Sequence, residues 1–370
     1  MKALVIGGTG PTGPFIINGL RERGYDVAML HRGTHELPEN PPEIEHIHTD
    51  PHFRETLDEG LDGRKFDLVI ATYGRIRVIA DALIGKTGRL IAVGGAVGYR
   101  GMMQPNANIP SGMPIPTRED AQRIASREEF EFGWLIRHTE DVVMGNHAAG
   151  HYNATMFRYP IVYGPNSIRS LEWPVMKRVQ AGRRQIILPE GGMAVLSRGY
   201  AENMAHAVLL AVDKPDASAG KIYNCADEQS ATIGQWAQII ARCMDWEFEI
   251  CGIPDAYAHT SRDLLALDSS TNHQLLDLYQ IRHDLGYQDV VPMQEAIART
   301  VAWTLKHKPD NDGKFSSRPD PLNYAMEDKL LAIYNEAAEK MQKIPFTRKE
   351  VHHPYPHPKV AGQVRDHRNR

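Results

Sequence analysis

The sequence predicts an α/β fold built on a doubly wound parallel sheet, and three observations support it. Short apolar runs recur with helical segments between them. Several of these runs are apolar throughout, without period-two alternation. The first run leads directly into three glycines, Gly7, Gly10 and Gly13. Regular alternation of strand and helix is the pattern of βαβ units. Unbroken apolarity is what a strand needs when helices cover both faces of its sheet.

The first expected strand, Lys2–Ile6, ends in Gly7-Gly-Thr-Gly-Pro-Thr-Gly13. Gly7 permits a sharp turn off the strand, Gly10 keeps side chains away from a pyrophosphate, and Gly13 lets the next helix lie close to the sheet. Pro11 and Thr12 complete the turn. Phe15, Ile16 and Leu20 give the following helix an apolar stripe, closed by Gly24. An anion would rest on the free N–H groups and positive dipole end of that helix. A bare glycine-rich turn is the blander reading, and the strand-to-helix setting favours a dinucleotide site over it. Further strands are expected at Asp26–His31, Ile44–His48, Phe66–Thr72, Arg89–Val93 and Asn153–Arg158. These runs place a dinucleotide-binding domain over residues 1–170.

Between Tyr99 and Thr117 the chain is rich in Pro, Gly, Asn and Met, which reads as a long loop at the C-terminal edge of the sheet, where loops hold ligands. Glu119 to Gly145 reads as mostly helix. From Leu171 the elements shorten and turns multiply, so a smaller α/β substrate lobe is expected over residues 171–310, with 195–225 returning to the first domain. Residues 311–370 read as a helix from Asn323 to Met341 and a Pro- and His-rich tail. Prolines interleave His352, His353 and His357, which favours a solvated or partner-clasping tail over a helical ligand face. No metal site is expected.

Bulk properties exclude several function classes. The chain has 370 residues, 42% hydrophobic and 24% charged, with net charge −4. That balance offers neither a nucleic-acid nor a membrane surface. Cys225, Cys243 and Cys251 match neither a zinc pattern nor a disulfide framework. With a strand starting at Lys2 and no apolar run near the ~20 residues of a spanning helix, cytoplasmic location is the expectation.

The end of the second strand indicates which cofactor is held. An acidic residue there takes the adenine-ribose hydroxyls of NAD, whereas an arginine favours the extra phosphate of NADP. Here it reads His31-Arg32-Gly33. Arg32 supplies a fork of donors suited to phosphate, so NADP is expected over NAD; stacking on adenine is its alternative role. Asp50 reads as an adenine-side contact or a helix cap. Thr72 and Gly94, at the ends of the fourth and fifth strands, complete the expected cofactor contacts.

These residues resemble the extended short-chain dehydrogenase/reductase superfamily, the NAD-dependent epimerase/dehydratase group, over residues 1–305. Besides the glycine turn, the resemblance rests on Ile115-Pro-Thr-Arg-Glu-Asp120, Phe157-Arg-Tyr-Pro-Ile-Val-Tyr-Gly-Pro165, Gly199-Tyr-Ala-Glu-Asn-Met-Ala205, Gly220-Lys-Ile-Tyr-Asn224 and Leu285-Gly-Tyr287. It implies a Rossmann fold and a nicotinamide cofactor. It also implies a Ser or Thr after the fifth strand and a Tyr-x-x-x-Lys pair whose tyrosine exchanges a proton with substrate.

That catalytic set is missing. Gly94 and Gly95 occupy the hydroxyl position in Ala92-Val-Gly-Gly-Ala-Val-Gly-Tyr99, while Phe132 and Ile136 replace the tyrosine and lysine in Phe132-Gly-Trp-Leu-Ile136. Tyr355 and Lys359 have the right spacing, but the intervening prolines forbid the helix that would join them. Arg137 sits one residue past Ile136, ~100° around the helix, and is no simple substitute.

The remaining proton-donor candidates are Tyr99, ranked first because it aligns with a pocket tyrosine of the family, then Tyr73 and Tyr163; each has a packing role as its alternative. Tyr99, Met102, Phe132, Tyr163 and Arg169 are the candidate substrate contacts. Met102, Met103 and Met113 would line an adaptable apolar pocket or simply anchor their loop. Arg158 binds an anionic substrate group or is structural, and His147 and His151 read as a solvated helix end.

The expected function is an NADP-dependent reductase of a C=O, C=C or C=N group in a small, apolar or aromatic substrate. A non-catalytic NAD(P) sensor or scaffold is the alternative, and an NAD-dependent sugar-nucleotide epimerase is a further one, hard to run without the Tyr and Lys. RNA association, known in a plastid branch of the superfamily, is disfavoured by the acidic balance. A small molecule is the expected partner, with a homodimer through the long helices possible within this superfamily.

Overall fold

Strands that are apolar on both sides must be covered on both sides, and β1 (Lys2–Ile6) shows how this is done. Ala3 and Val5 point into one core, shared with Ile16, Ile17 and Leu20 of α1 (Gly13–Glu22). Leu4 and Ile6 point into another, shared with Leu57, Ile79 and Val143. These three lie on α2 (Arg54–Gly60), α3 (Ile76–Ala82) and α4 (Glu131–Ala148). Alternate residues of one strand thus feed two separate cores, which is the arrangement of a doubly wound sheet.

The computed structural model describes residues 1–34, 36–167, 169–262, 264, 271–309, 322–345, 347 and 361–362. Its central sheet contains β1, β2 (Asp26–His31), β3 (Glu45–His48), β4 (Leu68–Ala71), β5 (Arg89–Gly95), β6 (Asn153–Tyr159) and the strand Lys221–Asn224. The order is Lys221–Asn224, β6, β5, β4, β1, β2, β3, with every pairing parallel. Successive strands run outward from β1 to β3, then restart on its other side with β4. The crevice between the C-terminal ends of β1 and β4 is therefore a topological switch point, where ligands bind in such sheets.

A further core gathers Trp173, Val175 and Met176 of α5 (Trp173–Gln180) with Ile233, Trp236, Ile240, Ile297 and Val301. It forms beside the parallel pair Gln185–Pro189 and Glu249–Ile253. Met1–Glu327 nevertheless make one compact unit and Asp328–Arg370 a second. The helix expected from Asn323 to Met341 spans Tyr324–Gln342. His352, His353, Tyr355, His357 and Lys359 of the tail lie outside the described residues.

The sequence expectation fails at one long element. Helix is expected from Glu119, but α4 begins at Glu131. The preceding residues spend their backbone groups on distant partners. Arg100 N–H donates to the Gln122 carbonyl at 2.9 Å, Ile124 N–H to the Gly98 carbonyl at 2.9 Å, and the Glu119 carbonyl accepts from Arg158 at 2.8 Å. A segment tied down in this way cannot make its own i to i−4 ladder.

Buried charge fastens the same region. Arg158 on β6 grips Glu140 on α4 through both guanidinium branches, at 2.6 and 2.7 Å, and Arg123 reaches the same carboxylate at 2.9 Å. Arg158 and Glu140 are almost wholly buried, at 3% and 0% exposure. A buried pair that loses one partner leaves an uncompensated charge, so these residues hold the fold as a unit. Arg158 is thereby assigned its structural role.

Asp227 is a second buried carboxyl. It accepts from Tyr200 N–H at 2.9 Å, Asn203 Nδ2 at 2.9 Å and the Tyr163 hydroxyl at 2.8 Å. Burial outweighs these donors and pushes its pKa up to about 7. A carboxyl whose pKa is raised by folding stabilises most when both states are protonated, and that contribution is lost as pH climbs through the folded value. Stability should therefore fall between about pH 4 and pH 8 in urea titrations. In Asp227→Asn, where the Tyr163 hydroxyl can turn to accept from the amide, this decline should flatten. Parallel profiles for the two proteins would contradict the assignment.

Candidate nucleotide-binding active site

The turn after β1 is built from places where no side chain fits. Gly7 sits at φ +96°, and a Cβ there would lie 2.4 Å from Cβ of Tyr73. A Cβ on Gly13 would lie 2.1 Å from the Gly8 carbonyl oxygen, so α1 packs against the turn without any spacer. Gly10 differs, because its nearest neighbour would be the Gly7 oxygen at 3.7 Å and the rest is open. Its missing side chain clears the cleft rather than the core. Helix α1 starts after Thr12 with no side-chain cap and no acidic residue in its first turn. Its positive end is left for an anion. These features fit the diphosphate of a dinucleotide, with Gly7, Gly10, Pro11 and Thr12 as its cradle.

A cavity of about 490 Å³ opens over this turn. Gly7, Gly10, Pro11 and Thr12 form its floor, His31, Arg32, Thr72 and Tyr73 one end, and Val93, Tyr159 and Val162 the other. A larger groove of about 720 Å³ lies among Pro116, Asp227, Glu228 and Arg282. It lacks the phosphate-binding turn, so the smaller cavity is the functional candidate.

The sheet order assigns the two ends. The end at β2 is the adenine-ribose half of a dinucleotide site, and the end at β5 and β6 faces the nicotinamide half. Arg32 is exposed at the adenine end, with its guanidinium 5.8 Å from the Tyr73 ring centre. Thr72 uses its hydroxyl to brace the turn, donating to the Ile6 and Gly7 carbonyls at 3.2 Å. Asp50 accepts from both the backbone N–H and the ring of His52, at 3.0 and 2.7 Å, and this bond holds its pKa below the usual carboxylate value. It closes a local turn ahead of α2 and is not among the cavity residues. Gly13 and Gly94 also lie behind the lining rather than in it.

The three tyrosines expected as proton donors are distributed quite differently. Tyr99 is 1% exposed; its hydroxyl donates to Asn224 Oδ1 at 2.7 Å and accepts from Arg158 at 2.5 Å. Burial pushes its pKa up to about 12. Tyr163 is equally buried, its proton committed to Asp227 and its pKa raised by burial and then by that carboxylate. Both serve packing and hydrogen bonding, the alternative foreseen for them. Tyr73 does line the cavity, 39% exposed, but beside Arg32 at the adenine end.

Met102 and Met113 are buried with Ala96, Tyr99 and Leu276, so they anchor their loop. Phe132 is 55% exposed at the start of α4, and Ile136, one turn on, is half-buried against Gly98. Arg169 is exposed and outside the cavity lining. His147 accepts from Ala154 N–H at 3.2 Å, which ties α4 to β6.

Sequence reading missed Tyr159, Val93 and Val162 as lining residues. Part of the signal was present: Tyr159 ends β6 and Val93 lies in the C-terminal half of β5. It also missed His31, Glu36, His46 and His48, whose ligand atoms lie within 4.8 Å of one another. The clue there is His46-x-His48 on a strand, which puts both rings on one face.

Comparison with known proteins agrees with this geometry. Residues 110–226 match the model of the NAD dependent epimerase/dehydratase family. A 3-diazoavenalumate denitrifying reductase from a Streptomyces species is 25% identical to it over 261 residues, covering 66% of this chain and 82% of the relative. A UDP-glucose 4-epimerase with UDP-glucose from Thermotoga maritima superposes with TM-score 0.66 at 16% identity, over 83% of this chain and 99% of that one. The Bordetella bronchiseptica enzyme WbmH in complex with NAD+ gives TM-score 0.62 at 17% identity, again over 83% and 99%. These two likenesses establish the fold. Among the described residues no helix is long and apolar enough to cross a membrane.

The contrast between two glycines provides a test. Gly10→Val should leave the melting temperature nearly unchanged, because its Cβ enters open space, while dinucleotide affinity falls by at least about tenfold, or ~1.4 kcal/mol. Gly13→Ala should lower the melting temperature even without nucleotide. Equal melting losses in the two variants, or full affinity in Gly10→Val, would contradict the division of roles.

Proposed function

We propose that this protein is an NADP-dependent oxidoreductase acting on a small, apolar or aromatic substrate, and that it reduces a cationic C=N or diazo-type group in preference to a neutral carbonyl. The observation that carries this reading is the chemistry of the β5/β6 end of the cavity. Val93 and Val162 are apolar, Gly94 and Gly95 replace the usual hydroxyl, and Tyr159 donates its proton to the Met204 carbonyl at 2.8 Å. Burial raises the Tyr159 pKa far above its ordinary value, so it is a poor acid.

A nicotinamide cofactor supplies hydride. Reduction of a neutral C=O requires in addition a proton placed on oxygen at the same site. A positively charged C=N carbon accepts hydride and is neutralised by it, so no enzymatic acid is needed. The surviving machinery, a dinucleotide cleft with an apolar reacting end, suits that chemistry. Phe132 and Ile136, at the positions of the missing tyrosine and lysine, are not among the cavity residues and offer no proton donor. The Streptomyces relative supports the same class, since its name specifies a reductase of a diazo compound. For the cofactor, Arg32 at the adenine end favours the 2′-phosphate of NADP.

Two measurements check the proposal. Loss of NADPH absorbance should show turnover on cyclic iminium ions or aryldiazonium salts, corrected for the uncatalysed rate, at a kcat/KM at least about tenfold above that for the matching ketones. Equal efficiency on ketones would reveal a proton donor and overturn it, and NADPH binding without turnover on any of them would point to a nucleotide sensor. Separately, Arg32→Ala should raise the Kd for NADPH about tenfold or more and leave that for NADH within about twofold. Parallel changes for both cofactors would remove the basis for NADP.

A further inference from the structure

Next to the adenine end of the cleft, at the C-terminal ends of β2 and β3, three imidazoles and one carboxylate converge. The parallel register sets His31 opposite His48, and His46 lies two residues before His48 on the same face of β3. Glu36 folds over from the connection between the strands. We propose that His31, Glu36, His46 and His48 form a binding site for a zinc-class divalent cation.

The four ligand atoms lie within 4.8 Å of one another. His31 Nε2 is 3.1 Å from His46 Nδ1 and 3.4 Å from Glu36 Oε1. Glu36 Oε1 is 3.5 Å from His46 Nδ1 and 3.8 Å from His48 Nε2. A tetrahedral zinc ion with bonds near 2.0–2.1 Å has neighbouring ligand atoms about 3.3–3.4 Å apart. Four of the six ligand-to-ligand separations, 3.1 to 3.8 Å, bracket that edge length, and all lie within 4.8 Å. Imidazole nitrogen with one carboxylate oxygen is also a donor set that zinc accepts and that magnesium or calcium does not favour.

Hydrogen bonding alone accounts poorly for the cluster. Gly33 N–H points at His31 Nδ1 at 3.3 Å, which leaves the His31 proton on Nε2. That one proton faces two acceptors, His46 Nδ1 and Glu36 Oε1, and these acceptors face each other at 3.5 Å. With His46 carrying its proton on Nε2, these lone pairs share a common centre that a cation would fill. On metal binding His31 would shift its proton to Nδ1, exchanging the long Gly33 contact for a metal bond.

The site also has a consequence for the cleft. His31, Arg32, Gly33 and Thr34 all line the nucleotide cavity. A cation joining His31 to Glu36 and β3 would pin the connection that carries Arg32. It would therefore stiffen the adenine end without touching the reacting end.

Zinc stoichiometry of the tag-free full chain, stripped with chelator, reloaded with zinc and dialysed, tests the site without any nucleotide present. Elemental analysis should find one zinc per chain, and cobalt(II) in its place should give the intense visible bands of a tetrahedral centre. His46→Ala/His48→Ala should lose this equivalent. Glu36→Gln, a mild change at an exposed residue, should weaken zinc binding at least about tenfold while its melting temperature without metal stays that of the wild type. The tail variant His352→Ala/His353→Ala/His357→Ala should retain the equivalent. Wild-type protein that takes up no zinc, or a site abolished by the tail variant and kept by His46→Ala/His48→Ala, would overturn the proposal. Either result leaves the reductase reading standing, because no turnover enters the measurement.

Discussion

The structure depends on a single steric constraint, the approach of β1, α1 and β4 to within distances that exclude a Cβ. Gly7 abuts Tyr73 after β4, and Gly13 abuts the Gly8 carbonyl. With these contacts made, the helix axis points its positive end into the switch-point crevice, and Gly10 keeps the opening clear. The position of Arg32, the stacking of Tyr73 beside it and the apolar lining from Val93 to Val162 follow from that geometry. The remainder of the sheet serves to hold these three elements still.

Much of this was readable in the residues because it is local. Strand ends at β1 and β2 follow from apolar runs bounded by turns, and the glycine spacing carries its own geometry. Individual side-chain roles were less legible. Tyr99 and Tyr163 follow pocket-like motifs, yet whether a phenol faces a cleft or a buried carboxylate depends on partners such as Asn224 and Asp227, more than 60 residues away in sequence. The stretch from Glu119 to Phe130 has helix-compatible composition, but its backbone groups are claimed by Gly98, Arg100 and Arg158. The histidine cluster needs the β2/β3 register, which no one-dimensional pattern contains.

The buried polar groups show a consistent division of labour. The charged and phenolic groups near the sheet edge are paired with each other. Arg158, Glu140, Arg123 and Tyr99 form one closed network, and Asp227, Asn203, Tyr200 and Tyr163 another. At the β5/β6 end the lining is Val93, Val162 and Tyr159, whose hydroxyl proton is committed to the Met204 carbonyl. On the proposed reading, such a site orients a cofactor and leaves the proton to the substrate's own chemistry.

The central claim is that the turn at Gly7 to Gly13 holds a nicotinamide dinucleotide whose 2′-phosphate meets Arg32. Isothermal titration calorimetry of the full chain with NADPH and with NADH tests it most directly. One equivalent of NADPH bound per chain, more tightly than NADH, is the predicted result; folded protein that takes up neither coenzyme would contradict the account.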